Sequence, residues 1–158
     1  MALYRDVIFP LLRRSDPETA HERACRLLAF AQNTWTGRLV LRAVAGDLPR
    51  RPVELWGLTF PNVIGMAAGF DKDVRVATGL GMLGFGHIEV GTLTPRPQQG
   101  NPRPRIFRLP QHHALINRMG FPNEGVRAVL PRLQAIARRP EGSFVLGVSI
   151  GKQKETPL

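Results

Sequence analysis

The stretch FVLGVSIGK, residues 144–152, decides the fold class of this chain. Its first seven residues are β-branched, aromatic, aliphatic or small and carry no charge, which predicts a buried strand. Two earlier stretches are also predicted strands, NVIGMAAG at 62–69 and HIEVGTL at 87–93. Helical patterns separate the three, DVRVATGLGMLG at 73–84 and EGVRAVLPRLQAIARR at 124–139. This alternation of strands and helices predicts a parallel α/β sheet, preceded by a small hairpin in VELWGLTF.

The first 48 residues are predicted to form a separate extension of two short helices. Pro10 should bend or end the first, ALYRDVIFPLLRR. In the second, Asp16 is placed to cap the helix and Pro17 to occupy its first position. An apolar stripe follows at helical spacing: Ala20, Ala24, Leu27, Leu28 and Ala31. With the arginines around them, the helices fit either an interfacial membrane anchor or a helical hairpin packed on its own domain.

Composition sets broad limits on function. The 158 residues are 43% hydrophobic, carry a formal charge of +10 and have a pI near 11.4. Such a basic chain could bind nucleic acid, an anionic membrane surface or anionic substrates. The sign of the charge alone does not distinguish these partners. Cys25 is the only cysteine, which excludes an internal disulfide and fits a reducing compartment. The apolar stretch near the N-terminus is too short to span a bilayer, so neither a signal peptide nor a transmembrane helix is predicted.

All three predicted strands end in small residues followed by polar ones, AAGFDK, EVGT and SIGK. Because the carboxyl ends of parallel strands share one edge of a sheet, these residues predict a common ligand site. Lys72 and Lys152 could neutralise an anionic substrate there, with solvated surface lysine as the alternative. The long proline-rich loop at 94–123 has a length typical of functional loops. In it, Asn117 offers two donors and an acceptor, which suits a planar ring bearing imide and carboxylate groups.

Other chemistries lack support in the sequence. His112 and His113 are adjacent and have no cysteine or carboxylate cluster beside them, so no metal site is predicted. No serine lies in a G-x-S-x-G elbow, and the glycines of GLGMLGFG close a helix instead of forming a dinucleotide fingerprint.

Five strings in this chain are distinctive: DPETAHE, AAGFDK, GFGHIEVGTLTPRPQQGNPRPRIFRLP, INRMGF and IGKQKETPL. Together they resemble dihydroorotate dehydrogenase of the membrane-associated, quinone-dependent class, over nearly the whole chain. The DPETAHE helix separates this class from the soluble classes, which lack such an extension.

The resemblance implies a (β/α)8 barrel that binds FMN and oxidises dihydroorotate to orotate in pyrimidine (UMP) biosynthesis, with a membrane quinone as electron acceptor. The flavin would be lined by Ala68, Gly69, Gly91, Thr92 and Ser149. Dihydroorotate would be bound by Lys72, Asn117, Arg118, Met119, Gly120 and Phe121. His21 and Arg108 would belong to a quinone tunnel beneath the N-terminal helices. The implied domains are a helical membrane and quinone-tunnel extension, 1–48, and an incomplete FMN-binding barrel, 49–158.

Three residues depart from the family pattern. Ser149 stands where the family usually has asparagine in G-x-N-x-G, so part of an amide contact to the flavin would be lost. Pro122 replaces an asparagine that commonly follows M-G-F, and Gln153 replaces another in G-K-N-K.

The resemblance also implies that only part of the barrel is present, about three of eight strands. The family's serine base, in an S-x-N-T-P loop after a later strand, and the flavin phosphate site would lie beyond the chain. We therefore expect the 158-residue chain alone to be inactive, to retain no FMN and to self-associate through its open sheet edge. The expected location is the cytoplasmic face of the cell membrane, bound peripherally.

Two alternatives stay open at this point. The chain could be a basic binding module for nucleic acid or anionic lipid, or a non-functional fragment. Nucleic acid is not the expected partner, because no basic strand interleaved with aromatic residues is present.

Overall fold

The computed structural model describes residues 6, 9–12, 14–47, 51–138 and 144–157. Three helices come first: α1 (Phe9–Leu12), α2 (Pro17–Asn33) and α3 (Trp35–Ala45). A hairpin of β1 (Val53–Leu55) and β2 (Leu58–Phe60) follows. The remaining elements are β3 (Gly65–Met66), α4 (Ala77–Met82), β4 (His87–Leu93), β5 (Ile106–Leu109), β6 (Ala114–Asn117), α5 (Val126–Arg138) and β7 (Val145–Ile150).

The central sheet has the order β3-β4-β7, and both pairings are parallel. Gly65 pairs with His87, and His87 pairs with Val145 on the other side, so the three strands run in step. The predicted parallel α/β arrangement is confirmed, with the three carboxyl ends at one edge of one sheet. It corresponds to the opening part of a (β/α)8 barrel, in which successive parallel strands are joined by helices on the outer face.

The core lies between the sheet and the two helices that connect its strands. Ile88 and Val90 of β4 are fully buried, as is Val129 of α5, and Leu80 of α4 is 2% exposed. Leu28 and Ala29 of α2 pack against the same cluster. Helix α2 therefore packs directly on the barrel portion.

The N-terminal extension differs in part from its prediction. Asp16 caps α2 through a 2.8 Å bond from the Thr19 N–H, and Pro17 begins the helix, both as predicted. Helix α3 was not in the two-helix prediction. Pro10 lies within the short α1, and the rest of the predicted first helix falls largely outside the described residues.

The predicted apolar stripe of α2 gives only part of its buried face: Leu28 packs against the core, and Ala20 and Ala31 are half-buried. Leu27 is 70% exposed and Ala24 is also exposed, whereas Glu18 and Gln32 are buried. Polar residues can be buried here because the barrel portion supplies their partners: Gln32 bonds the backbone carbonyl of Arg75 and the N–H of Gly79, each at 2.7 Å. The helix is thus oriented by specific polar contacts.

The outer strands are less buried than predicted. Strand β3 contains only two residues, and Val63 and Ile64 before it are 69% and 61% exposed. In β7, Val148 and Ile150 are 40% and 81% exposed. Within the described residues each of these strands pairs only with β4, so one edge of each remains uncovered.

The proline-rich segment at 94–123 is more ordered than a loop. It contains the antiparallel pair β5–β6, joined by a 3-10 turn at Pro110–His112. Asn117, predicted in a loop, is the last residue of β6 and pairs with Ile106. Among the helices of the described residues, none combines the length and the hydropathy needed to cross a membrane.

Candidate functional site

The carboxyl ends of β3 and β4 are joined by two backbone hydrogen bonds. The Gly69 N–H donates to the Gly91 carbonyl at 2.8 Å, and the Gly91 N–H donates to the Asp71 carbonyl at 3.0 Å. Gly91 has a φ of +103°, and a Cβ placed on it would lie 2.5 Å from the Ser149 carbonyl. Glycine is therefore required at 91 both by its backbone conformation and by the closeness of β7.

A hydroxyl pair joins the ends of β4 and β7. Thr92 Oγ1 lies 2.9 Å from Ser149 Oγ. The Gly151 N–H donates to the Leu93 carbonyl at 2.9 Å just beyond this pair. Four of the five predicted flavin residues are thereby connected: Gly69 and Gly91 by a backbone bond, Thr92 and Ser149 by their side chains.

Space lies open beside the β3 end. A Cβ placed on Gly69 would meet no heavy atom within 4 Å, and Gly69 is exposed, while its neighbour Ala68 is half-buried. A flat group could approach this backbone closely, with the Thr92 and Ser149 hydroxyls on the adjoining strands.

Asp71 fixes the turn that carries Lys72, a contribution that sequence reasoning missed. Its carboxylate is 3% exposed and accepts the N–H groups of Arg75 and Val76 at 2.7 and 2.9 Å. Burial raises the pKa of Asp71, and these backbone donors oppose that shift. A carboxylate placed shortly before a helix was the available sequence signal.

Lys72 is half-buried, and its ammonium group donates to the Gly69 carbonyl at 2.6 Å. Burial lowers its pKa below the ordinary value of 10.5. A partly desolvated cation held beside an open backbone is suited to bind an anion, because fewer waters must be displaced from it.

A cavity of about 380 Å³ lies between α2 and these turns. His21, Cys25 and Glu18 line it from α2, and Phe70, Lys72 and Asp73 line it from the turn after β3. Met119, Pro122 and Asn123 line it from the long segment. Predicted substrate and quinone residues therefore share one cavity.

His21 packs edge-on against Phe70, with ring centroids 4.9 Å apart, and its Nε2 lies 3.5 Å from Cys25 Sγ. Burial is the main cause of its lowered pKa, and the positive charge of Lys72 adds to the effect. Arg108, the other predicted quinone residue, is not among the described residues that line the cavity, and it donates to the carbonyl of Ser15.

The predicted substrate segment is held by its carbonyl groups. Asn101 donates to the Arg118 carbonyl at 2.7 Å through its side chain and to the Met119 carbonyl at 2.8 Å through its backbone. Gly120 and Phe121 follow with φ of +73° and +53°. Within the described part of the chain, neither of their N–H groups donates a hydrogen bond. Two neighbouring amides are thus available to an anion or carbonyl oxygen.

Asn117 and Arg118 have other contacts. The Asn117 side-chain oxygen accepts the Met119 N–H at 3.0 Å, which shapes the turn itself. The Arg118 guanidinium lies 5.4 Å from the centre of the Phe107 ring and donates to the Pro104 carbonyl at 3.3 Å. Of the predicted substrate residues at 117–121, only Met119 lines the cavity.

A buried ion pair joins α2 to the long segment, and sequence reasoning missed it as well. Arg105 and Glu18, 7% and 8% exposed at their side chains, approach to 2.5 Å. Arg103 adds a 2.9 Å contact to Glu18 and a 3.2 Å contact to Glu22. The hydrogen bonds from Arg105 are the main cause of the lowered pKa of Glu18.

Of the three residues predicted to depart from the family pattern, Gln153 makes defined side-chain contacts. Its side-chain amide makes two bonds with the backbone of Arg96, accepting at 3.2 Å and donating at 3.3 Å. Pro122 lines the cavity. Within the described residues, no three histidine, cysteine or carboxylate side chains form a metal-binding group.

The fold and the site define an α/β protein of the barrel type, with a cavity beside the carboxyl edge of its parallel strands. The family model described as dihydroorotate dehydrogenase matches residues 51–157. The chain belongs to the dihydroorotate dehydrogenase family.

Individual relatives agree with this assignment. The chain is 49% identical over 150 residues to the dihydroorotate dehydrogenase (quinone) of Delftia acidovorans, covering 94% of this chain and 42% of the relative. It is also 49% identical to the protein of that name from Synechococcus sp. strain JA-3-3Ab, covering 100% of this chain and 43% of the relative. The chain thus spans less than half the length of these relatives.

A solved structure shares the fold. The crystal structure of DHODH from Eimeria tenella in complex with ferulenol superposes with a TM-score of 0.80 at 43% identity, covering 96% of this chain and 40% of that one. The ligand-free form from the same organism gives a TM-score of 0.75.

Proposed function

We propose that this chain supplies the first part of the catalytic unit of a quinone-linked dihydroorotate dehydrogenase, which oxidises dihydroorotate to orotate in pyrimidine biosynthesis. The observation that carries the proposal is a single cavity at the carboxyl edge of β3, lined by Lys72 beside the open Gly69 backbone and by Met119 of the predicted substrate segment. These are the groups that an anionic ring substrate and a flat cofactor require. The family membership supports the same conclusion.

The residues present fit FMN. The approach to Gly69 is unobstructed, a side chain at 91 is excluded, and the Thr92 and Ser149 hydroxyls lie on the neighbouring strand ends. In this proposal Ala68, Gly69, Gly91, Thr92 and Ser149 hold the flavin. FMN, when bound, accepts a hydride from dihydroorotate and passes electrons to the quinone.

The substrate would be held through its carboxylate. Lys72 would neutralise the carboxylate charge, and the Gly120 and Phe121 amides would donate to its oxygens. The carbonyls of Arg118 and Met119 are already bonded to Asn101, so this segment is fixed before any ligand arrives. Such preorganisation reduces the free-energy cost of ordering the site on binding. Asn117 and Arg118 would support the segment from its outer side.

The quinone would approach from the α2 side of the cavity. Burial lowers the pKa of His21 and so favours its neutral imidazole, which could donate a hydrogen bond to a quinone oxygen without adding a charge. We place Arg108, which is bonded to the residue before the α2 cap, in the wall around the quinone path. Residues 1–48 and 49–158 form the two units of this proposal.

The outer face of the helical hairpin suits a membrane surface. Five apolar side chains of α2 and α3 are between 58% and 75% exposed: Leu27, Phe30, Trp35, Val40 and Val44. Arg23, Arg26 and Arg42 are also exposed on these two helices. Apolar side chains bordered by arginine favour peripheral binding to an anionic leaflet, which we take to be the cytoplasmic face of the cell membrane.

A chimeric enzyme tests the function directly. Residues 1–158 would replace the aligned segment of the Delftia acidovorans relative, which supplies the rest of the catalytic unit. We expect the chimera to bind FMN and to form orotate with a soluble quinone analogue as acceptor. In the matched variant Lys72→Ala, the KM for dihydroorotate should rise about tenfold or more, because a charged hydrogen bond is lost.

A chimera that folds and retains FMN yet forms no orotate would contradict the proposal. An unchanged KM in Lys72→Ala would remove Lys72 from the substrate site while leaving the reaction itself intact.

A further inference from the structure

Gln98 connects three segments of the carboxyl edge. Its side-chain Nε2 donates to the carbonyls of Gly120 and Phe121 at 3.0 and 3.3 Å, and its Oε1 accepts the Lys154 N–H at 3.0 Å. Its backbone exchanges two hydrogen bonds of 2.9 Å with Asn123. One half-buried side chain thus joins the substrate segment to the turn that follows β7.

The direction of these bonds matters for the amides. In a trans peptide the C=O and N–H point in opposite directions. The Gly120 carbonyl is directed toward Gln98, so the N–H of Phe121, in the same peptide unit, is directed away from it. The same holds one unit earlier, where the Met119 carbonyl accepts from Asn101 and the Gly120 N–H is directed away.

Close packing supports this orientation. A Cβ on Gly100 would lie 2.3 Å from the Met119 carbonyl, and a Cβ on Gly120 would lie 2.9 Å from the Asn101 side chain. The two segments therefore approach at backbone distance, and the carbonyls have little room to turn.

We infer that Gln98 is a positioning residue for substrate binding: by holding the Gly120 carbonyl from behind, it presents the Phe121 amide of the same peptide unit to the carboxylate of the ligand. Its second bond, to the Phe121 carbonyl, fixes the next peptide unit, which has no N–H because residue 122 is proline. This inference rests on the proposed function. In that proposed function Gln98 contacts neither substrate nor cofactor, and it acts through the backbone of the substrate segment.

Two variants of the chimera separate the donor contacts of Gln98 from its acceptor contact. Gln98→Glu keeps an acceptor for Lys154 but replaces the donor with a carboxylate oxygen facing two carbonyls. Gln98→Met removes both donor and acceptor at similar size. Gln99→Glu is the matched control, because Gln99 is adjacent and its side chain is exposed.

We expect both Gln98 variants to raise the KM for dihydroorotate and the Kd for orotate about fivefold to tenfold, the scale of one lost hydrogen bond, with kcat changed less than about twofold. Gln99→Glu should leave all three near the parent values. If only Gln98→Met raised KM, the contact with Lys154 would be the effective one and the inference would fail. Equal falls in kcat and in FMN content would also overturn it, because they indicate general loss of structure.

Amide hydrogen exchange tests the inference without turnover. Orotate should slow exchange at Gly120 and Phe121 in the parent chimera. In Gln98→Glu the protection of Phe121, whose peptide unit Gln98 holds, should be weaker, while Lys154 stays protected as in the parent. Orotate protection equal in parent and variant would refute the inference. A parent chimera that binds orotate but forms none would instead count against the proposed function.

Discussion

The hydroxyls of Thr92 and Ser149 lie 2.9 Å apart and join the carboxyl ends of β4 and β7. The hydrogen bond uses Ser149 Oγ within the protein, at a position where the family resemblance predicts the longer asparagine. A serine bonded to its neighbouring strand extends less far over the edge of the sheet than an amide would.

The first prediction follows from that pair. In the chimera, Ser149→Asn should tighten FMN binding by about fivefold, because the amide supplies one more hydrogen bond toward the flavin. Fluorescence titration of the apoprotein with FMN measures it. Ser149→Ala is the control and should not tighten binding; weaker binding in Ser149→Asn would show that the site is adapted to serine.

The second prediction concerns the ion pair between α2 and the long segment. In the 158-residue chain, Glu18→Ala should lower the free energy of unfolding by about 3 kcal/mol, because it leaves the buried Arg105 without its counter-charge. Glu22→Ala removes only exposed contacts to Arg103 and Arg26, and should cost less than about 1 kcal/mol. Urea unfolding measures both. If the two variants lowered the free energy of unfolding equally, the buried pair would contribute no more to stability than the exposed contacts.

The third prediction concerns pH. The folded-state pKa of His21 lies below its ordinary value of 6.5, so as the pH falls through 6.5 the unfolded chain takes up a proton before the folded chain does. Stability should therefore fall from pH 7.5 toward pH 5.5, by at most about 1.4 kcal/mol per pH unit for this residue. His21→Asn should reduce that slope.

Comparing variant with parent isolates His21 from the carboxylates. Glu18, whose pKa is lowered, contributes stability that is lost at a lower pH, below its ordinary value of 4.5. Identical slopes for parent and His21→Asn would contradict the burial of a neutral imidazole.

The fourth prediction tests the membrane face. Vesicles containing phosphatidylglycerol should bind the chain more tightly than vesicles of phosphatidylcholine, and added salt should reduce the difference. Replacing Leu27 and Phe30 with glutamate should abolish binding, whereas Val63→Glu, exposed but outside the helices, should not. Co-sedimentation measures the bound fraction. If the glutamate variants of the helices bound vesicles as well as the parent chain, the membrane contact would lie elsewhere.

The fifth prediction concerns the 158-residue chain alone. Because the β7 edge carries an exposed Ile150, the chain should form concentration-dependent oligomers in sedimentation velocity, and it should not turn over dihydroorotate. Ile150→Lys should shift the distribution toward monomer, while Val44→Lys, on the outer face of α3, should not. A monomeric parent chain at high concentration, or steady orotate formation by it, would refute this expectation.

Local sequence determined the elements whose causes are local. The α2 cap at Asp16 and Pro17 is visible in the sequence, because a cap depends on residues within one turn. The seven residues of β4 were predicted at their observed bounds, His87–Leu93, because Gly86 precedes the strand and Pro95 follows it closely. The repeated small residues after the strands also indicated a shared edge, since parallel strands end on the same side.

Tertiary structure alone decided which polar residues could be buried and where the amides face. Glu18 and Gln32 leave water because Arg105 and the start of α4 supply partners that are distant in sequence, which no helical periodicity encodes. The exposure of Ile150 likewise depends on which strand lies beside it. The Gly120 and Phe121 amides are free because Gln98 and Asn101 hold the opposite side of their peptide units, a relationship that exists only once the segments pack together.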